Sequence, residues 1–375
     1  MSKNILPSKI YTTSEVENLF FKRNYRYFSI CITPWHLAGI SAYINYCEKQ
    51  FNSQCKALIV VLPHPQTGYC LGESEISEKI KIPVDVVYSI HNYNLFRLKT
   101  IIRTLQKVKK YRSSPIEDVY LLSTPIPFIY DEMKWFLDTG ERHKLILIDE
   151  GVSGYLSPYG WMRHSYSEEH NSFNAFKVFI RQITSKLLLK IMNTDIQYWM
   201  LYDSDANVND NVAKYYQCQF LNNKEKIYIQ DDYILYVSQP AINKQEEIET
   251  AKVIDLLLSL CIKNHIMLMI KPHPRDSTNK WSGRQGYKLF PESGAIEEIY
   301  PRVINKPKCV IGTRSTALLT LNSFYKANCI SLLPLVLENE KRKSTYDEAF
   351  YIKHFANQIT MISSTEDLKG IFTKM

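Results

Sequence analysis

YILYVS (233–238), KQEEIETAKVIDLLLSLCIKN (244–264) and HIMLMI (265–270) follow one another in close succession. The outer two are short apolar runs with the look of buried strands. The middle one carries Ile248, Val253, Leu256, Leu257 and Leu260 at helical spacing. Strand, helix and strand in alternation predict a parallel sheet covered on both faces. Downstream, CVIGT (309–313), TALLTLNSFYK (316–326) and NCISLL (328–333) repeat the pattern. Upstream lie FSICIT (28–33), ALIVVL (57–62), VDVVYS (84–89), DVYLLS (118–123) and KLILID (144–149), with HLAGISAYINYCEKQ (36–50) as a helix. The chain has 375 residues, too many for one ordinary core. The prediction is α/β, with two doubly wound Rossmann-like domains spanning 1–225 and 226–375. The polar stretch NNKEKIYIQDD (222–232) reads as the linker.

The apolar share of 45% is that of a globular chain. A net charge of +8 suits an anionic partner without arguing for nucleic acid. The eight cysteines are scattered and form no CxxC pair, which speaks against a zinc knuckle. Several sit inside apolar runs as small hydrophobes, as expected in a reducing cytoplasm. The N-terminus lacks the pattern of a signal peptide, and no apolar run approaches the ~20 residues of a membrane span. The expected location is cytoplasmic.

In open α/β sheets ligands bind beyond the carboxyl ends of the strands. Three such places carry chemistry. Asp149-Glu150-Gly151 follows KLILI; two carboxylates at a sharp turn offer a general base for a hydroxyl, although Asp and Gly also form plain turns. Lys271-Pro272-His273-Pro274 follows HIMLMI. Its prolines stiffen the backbone around an imidazole that can serve a phosphate leaving group, and Lys271 adds positive potential. Gly312-Thr313-Arg314-Ser315-Thr316 precedes a helix, where hydroxyls and free N–H groups bind anions or merely cap. Together they describe displacement at a sugar carbon from a nucleotide donor. Asp203-Ser204-Asp205 matches a metal-binding DxD by its letters, but it follows LLLKIMNTDIQYWML, which reads as helix. Pro63-His64-Pro65 copies the Pro-His-Pro pattern in the first half, as a loop or an acceptor contact.

The set resembles bacterial sialyltransferases and polysialyltransferases, which carry a D/E-D/E-G motif, a later His-Pro motif and a Ser-Ser/Thr motif in that order. Here these are Asp149-Glu150-Gly151, His273-Pro274 and Ser315-Thr316. The resemblance implies a GT-B fold with the two domains facing a central cleft, the first binding acceptor and the second a CMP-sugar. It also allows a last helix near 365–374 that returns to the first domain. It implies an inverting, metal-independent transfer of sialic acid from CMP-sialic acid, with no cofactor. The acceptor is a capsule or lipooligosaccharide glycan, acidic or galactose-terminated. Glu150 takes the place of the base, with Asp149 as the other candidate. His273 contacts the donor phosphate beside Pro274, and Ser315 and Thr316 bind that phosphate. Glu297 in PESGAIEEIY (291–300), with Glu298 close behind, stands for the acid near the cytidine ribose. Ser238 and Gln239, at a strand end, are candidates for the nucleotide cleft.

On the acceptor side, Thr33-Pro34-Trp35-His36 follows the first strand. Trp35 and His36 are either acceptor contacts or core residues. Arg97 and Arg103 belong to a stretch without acids from 97 to 115, suited to a polyanionic glycan or anionic lipid. FKVFIRQITSKLLLKIM (176–192) spaces cations among apolar residues, as in an ordinary packed helix or one lying in a membrane interface. Peripheral contact with the cytoplasmic face of the inner membrane is therefore an option. The competing readings are a GT-B transferase with another nucleotide-sugar donor, a non-catalytic glycan-binding protein on the same fold, and a nucleic-acid binder, for which no motif is present.

Overall fold

The computed structural model describes residues 25–51, 55–63, 70–89, 116–123, 142–149, 151–156, 195–222, 224–239, 244–273, 283–340 and 346–375, with Trp281 and scattered positions between 11 and 19 and between 172 and 187. The chain divides into two compact units. The first comprises Met1–Met162, Ser172–Leu201 and Asp210–Gln219; the second comprises Arg163–Asn171, Tyr202–Asn209 and Phe220–Met375.

The sheet of the first unit is built from β1 (Tyr27–Cys31), β2 (Ala57–Val61), β3 (Val84–Tyr88), β4 (Ile116–Ser123), β5 (Arg142–Ile148) and β6 (Ile196–Trp199). Its order is β3-β2-β1-β4-β5-β6, and every pairing is parallel. β2 is buried along its whole length, as a strand covered on both faces must be. Helices α1 (Pro34–Phe51), α2 (Glu73–Lys79) and α3 (Asp210–Phe220) accompany it. Thr33 caps α1, its hydroxyl oxygen accepting from the His36 N–H at 3.2 Å, and Pro34 takes the first helical position.

The second unit repeats the plan with β7 (Tyr233–Val237), β8 (Met267–Lys271), β9 (Tyr287–Leu289), β10 (Val310–Gly312), β11 (Cys329–Ser331) and β12 (Thr360–Met361). The order β12-β11-β10-β7-β8-β9 is that of the first sheet, counted within the unit as 3-2-1-4-5-6 from its β9 edge. This is the order of dinucleotide-binding sheets, with the switch point between the first and fourth strands. Its helices are α4 (Lys244–Lys263), α5 (Ile296–Ile299), α6 (Thr316–Tyr325), α7 (Leu333–Glu340), α8 (Tyr346–Phe355) and α9 (Thr365–Thr373). Leu368 and Phe372 of α9 pack into this unit's own core beside Leu335 and Ile362. The polar stretch 222–232 is tied down here. The Ile227 N–H donates to the Arg302 carbonyl at 2.9 Å, the Ile304 N–H returns to Ile227 at 2.8 Å, and Ile229 is buried. Two Rossmann-like units in one chain make the GT-B plan.

One expected element is corrected. Residues Ile196–Trp199 form strand β6 and not helix, because they find the free edge of β5, in the register Leu145↔Ile196 to Ile148↔Trp199. Asp203-Ser204-Asp205 therefore follows a strand. Its Asp203 carboxylate closes a turn, accepting from the N–H groups of Asp205 at 2.8 Å and Asn207 at 2.9 Å. Among the described residues, no helix is long and apolar enough to cross a membrane.

Candidate functional site

In the first unit Asp149 stands at the carboxyl end of β5 and is fully buried. Its Oδ1 accepts from the Gly151 N–H at 2.6 Å. Its Oδ2 accepts from the Leu201 N–H at 3.1 Å and from the Tyr155 hydroxyl. Gly151 has φ +91°, a left-handed conformation that a glycine adopts without penalty. This lets the turn fold back on the carboxylate. Tyr216, on α3, donates to the Asp149 carbonyl at 3.4 Å. Trp35 lies against the Tyr216 ring at 5.6 Å, and its indole N–H also bears on the Asp149 carboxylate. Trp35 is half-buried and His36 buried.

Burial pushes the Asp149 carboxyl up to about 6, against the hydrogen bonds from Tyr155, Gly151 and Leu201 and the nearby Trp35 indole, which favour the ionised form. A carboxyl raised in the fold above its ordinary 3.8 holds its proton longer in the native than in the unfolded chain. Its contribution is then full below about pH 4 and shrinks as pH rises toward 6. The expected outcome concerns the gap in unfolding free energy between wild type and Asp149→Asn. Urea melts should show it narrowing by up to about 3 kcal/mol between pH 4 and pH 7. A constant gap would mean that the carboxyl titrates alike in both states.

In the second unit the ends of β7, β8 and β10 meet. The Ser238 N–H donates to the Lys271 carbonyl at 3.0 Å. A Cβ on Gly312 would stand 3.1 Å from the Val237 carbonyl oxygen, so a residue without a side chain lets β10 close on β7. This is the switch point. Ser238 is 3% exposed, and its hydroxyl has no hydrogen-bond partner, an unusual state for a buried polar group. Gln239 accepts from the Arg314 N–H at 3.3 Å. Ser315 caps α6, its oxygen accepting from the Ala317 N–H at 3.2 Å, which leaves the hydroxyl proton to donate elsewhere. Thr316 opens the same helix, half-buried. His273 follows β8, also half-buried.

Burial lowers the Lys271 ammonium, and the charges of Glu297 and Glu292 oppose that shift. Glu297 is raised by burial while Thr320, which donates to it at 2.8 Å, and Lys271 favour its ionised form. Ser238, Gln239, Lys271, His273, Ser315 and Thr316 thus stand at or just beyond the carboxyl ends of β7, β8 and β10, with Glu297 near enough to Lys271 for their charges to interact. Glu150, Pro274, Arg97, Arg103 and His64 lie outside the described residues.

The sequence reading missed two supports. Arg314, between Thr313 and Ser315, reaches Glu246 on α4 at 3.0 Å and Glu348 on α8 at 3.4 Å. Both carboxylates are almost wholly buried, so this ion triad pins the loop carrying the two hydroxyls. No local signal marks it, since the partners are 68 and 34 residues away. In the first unit, Tyr216 and Gly39 shape the Asp149 turn. A glycine inside HLAGISAYI was the available sign, because it lowers helix stability unless close packing needs it.

The family model for alpha-2,8-polysialyltransferase (POLYST) matches residues 27–333, from β1 to the start of α7. Among curated proteins, no sequence matches the chain. Among solved structures, S. aureus MnaA in a co-structure with UDP is 11% identical, with 93% of this chain and 87% of that one covered at a TM-score of 0.50. A UDP-N-acetylglucosamine 2-epimerase is 9% identical over 94% and 87%, again at 0.50. At such identities the likeness concerns the fold alone. The family match extends over most of the chain and takes in the first sheet and every strand of the second but β12, so this protein belongs to the alpha-2,8-polysialyltransferase family of glycosyltransferases.

Proposed function

We propose that the protein moves sialic acid from CMP-sialic acid to a hydroxyl of a bacterial surface glycan, with inversion and without a metal ion. The acceptor class is a galactose-terminated or acidic glycan of capsule or lipooligosaccharide. The observation that carries this reading is the carboxyl end of the second sheet, at β7, β8 and β10. There, Ser238 ends β7 with an unpaired buried hydroxyl, Ser315 caps the helix after β10, and His273 follows β8. That chemistry suits one phosphate and one ribose.

Glu150 takes the proton of the acceptor hydroxyl as its oxygen bonds to the anomeric carbon. The bond from that carbon to the CMP phosphate oxygen breaks on the opposite side, and the electron pair leaves with CMP. His273, with the hydroxyls of Ser315 and Thr316, donates hydrogen bonds to the departing phosphate. Lys271 supplies positive potential, and Glu297 and Gln239 face the nucleoside. The burial of Asp149 favours Glu150 as the base, because every oxygen of Asp149 is already engaged by the turn it supports. The cations Arg97 and Arg103 suit an acidic acceptor.

The test is CMP release from CMP-sialic acid in EDTA with a panel of galactose- and sialic-acid-terminated acceptors. Release should depend on acceptor, survive EDTA, and fall roughly 10²–10³-fold in His273→Ala. No release from folded protein with any acceptor would overturn the donor assignment. UDP-, GDP- and CDP-sugars would then test the other reading, a transferase with another nucleotide-sugar donor.

A further inference from the structure

Helical positions between 172 and 187 of the first unit leave an apolar stripe uncovered. Phe173 is 66% exposed, Phe176 54%, Ile183 43% and Leu187 54%, and Ile180 is half-buried. Alternate spacings of three and four residues put these five within about 80° of arc at ~100° per residue. Ala175, about 120° round the helix from the middle of the stripe, is buried at 3%. The helix therefore has an inner face already, and the stripe is a second one. Exposed scattered apolar residues need no explanation, but a contiguous apolar face marks an interaction site.

Charge decides what covers it. From His170 to Thr194 the sequence holds Lys177, Arg181, Lys186 and Lys190 and no Asp or Glu. Helical spacing in the sequence assigns Lys177 and Arg181 to one flank of the stripe and Lys186 and Lys190 to the other. The Lys177 ammonium lies 4.1 Å from the centre of the Phe173 ring, so its stem runs along the apolar surface with the charge at the border. A second copy of this chain is a poor occupant. It would set four cations against four, without the opposite charges that flank a helical seam. An anionic bilayer meets both demands, with acyl chains for the stripe and headgroups for the two cationic borders.

We propose that residues 172–187 seat the protein on an anionic lipid surface, with Phe173, Phe176, Ile183 and Leu187 entering the acyl boundary. Such a seat would hold the enzyme beside acceptors that are themselves anchored in a membrane. The inference does not rest on the identity of the donor.

The test is co-sedimentation of the full chain with phosphatidylethanolamine–phosphatidylglycerol vesicles and, separately, with pure phosphatidylcholine vesicles. Binding should favour the anionic vesicles at least about tenfold and weaken with added salt. Phe173→Ser with Phe176→Ser should lower it at least about tenfold, with circular dichroism and the thermal melt of the lipid-free protein unchanged. Hydrogen exchange on the wild type gives a readout that needs no variant, with amides of 172–187 slowed by anionic vesicles. Equal binding to both vesicle types, binding to neither, or protection confined to another segment would overturn the proposal. So would a lipid-free dimer that the double substitution dissociates.

Discussion

Glu150→Gln is expected to lower kcat roughly 10²–10⁴-fold with an unchanged Tm, whereas Asp149→Asn is expected to act chiefly on stability. The two residues are neighbours in one turn, and their tasks differ because one carboxylate is consumed by the fold. Asp149 accepts from two backbone N–H groups and a tyrosine hydroxyl. An amide in its place keeps one acceptor oxygen and turns an NH₂ toward a donor. That leaves at least one buried N–H without an acceptor, at a cost of about 2–4 kcal/mol. A glutamine at 150 keeps the shape of the side chain and removes only its ability to take a proton. The measurement is kcat for CMP release beside thermal melts of both variants. If Glu150→Gln retains wild-type kcat while folded Asp149→Asn loses it, the base is Asp149 and the assignment is reversed.

Gly39→Ala is expected to destabilise the first unit by about 2 kcal/mol or more, although alanine is the better helix former. A Cβ at position 39 would lie 2.2 Å from Ile148 Cγ2 and 2.5 Å from the Tyr216 hydroxyl oxygen. Neither is the loose end of a long side chain. Ile148 is the last residue of β5, and the Tyr216 hydroxyl bonds to the Asp149 backbone. The helix-propensity gain of ~1 kcal/mol is smaller than the displacement of both. The shift reaches the Asp149 turn, so kcat should fall as well. Gly370→Ala on α9 is the control. Nothing lies within 4 Å of its added methyl, and the expected change is a gain of about 0.5–1 kcal/mol. Denaturant melts of the two variants should move in opposite directions; a shared direction would mean that α1 has room to yield.

Both core sheets were legible because their strands are apolar runs with helical spacing between them. β2 (ALIVV) and β7 (YILYV) are buried throughout, so their composition reports their environment directly. The strands that escaped are edge strands. β6 (IQYW) exposes Gln197 and Tyr198, β9 has three residues and β12 two. A short edge strand is defined by a neighbour's unpaired groups and not by its own pattern.

The candidate site divides in the same way. That Asp149-Glu150, Lys271-His273 and Ser315-Thr316 follow strands is local information, and alternation plus motif order determined it. What surrounds those residues is not local. Leu201 reaches Asp149 across 52 residues and Tyr216 across 67. Arg314 finds Glu246 across 68. The sequence by itself determined two parallel α/β sheets and the strand ends that carry the candidate residues. Only the tertiary structure decided that the Asp149 carboxylate is buried under three hydrogen-bond donors, that an ion triad pins the Ser315-Thr316 loop, and that Phe173, Phe176, Ile183 and Leu187 are exposed. Periodicity records which face of an element is apolar; which neighbour covers that face depends on contacts made after the chain has closed.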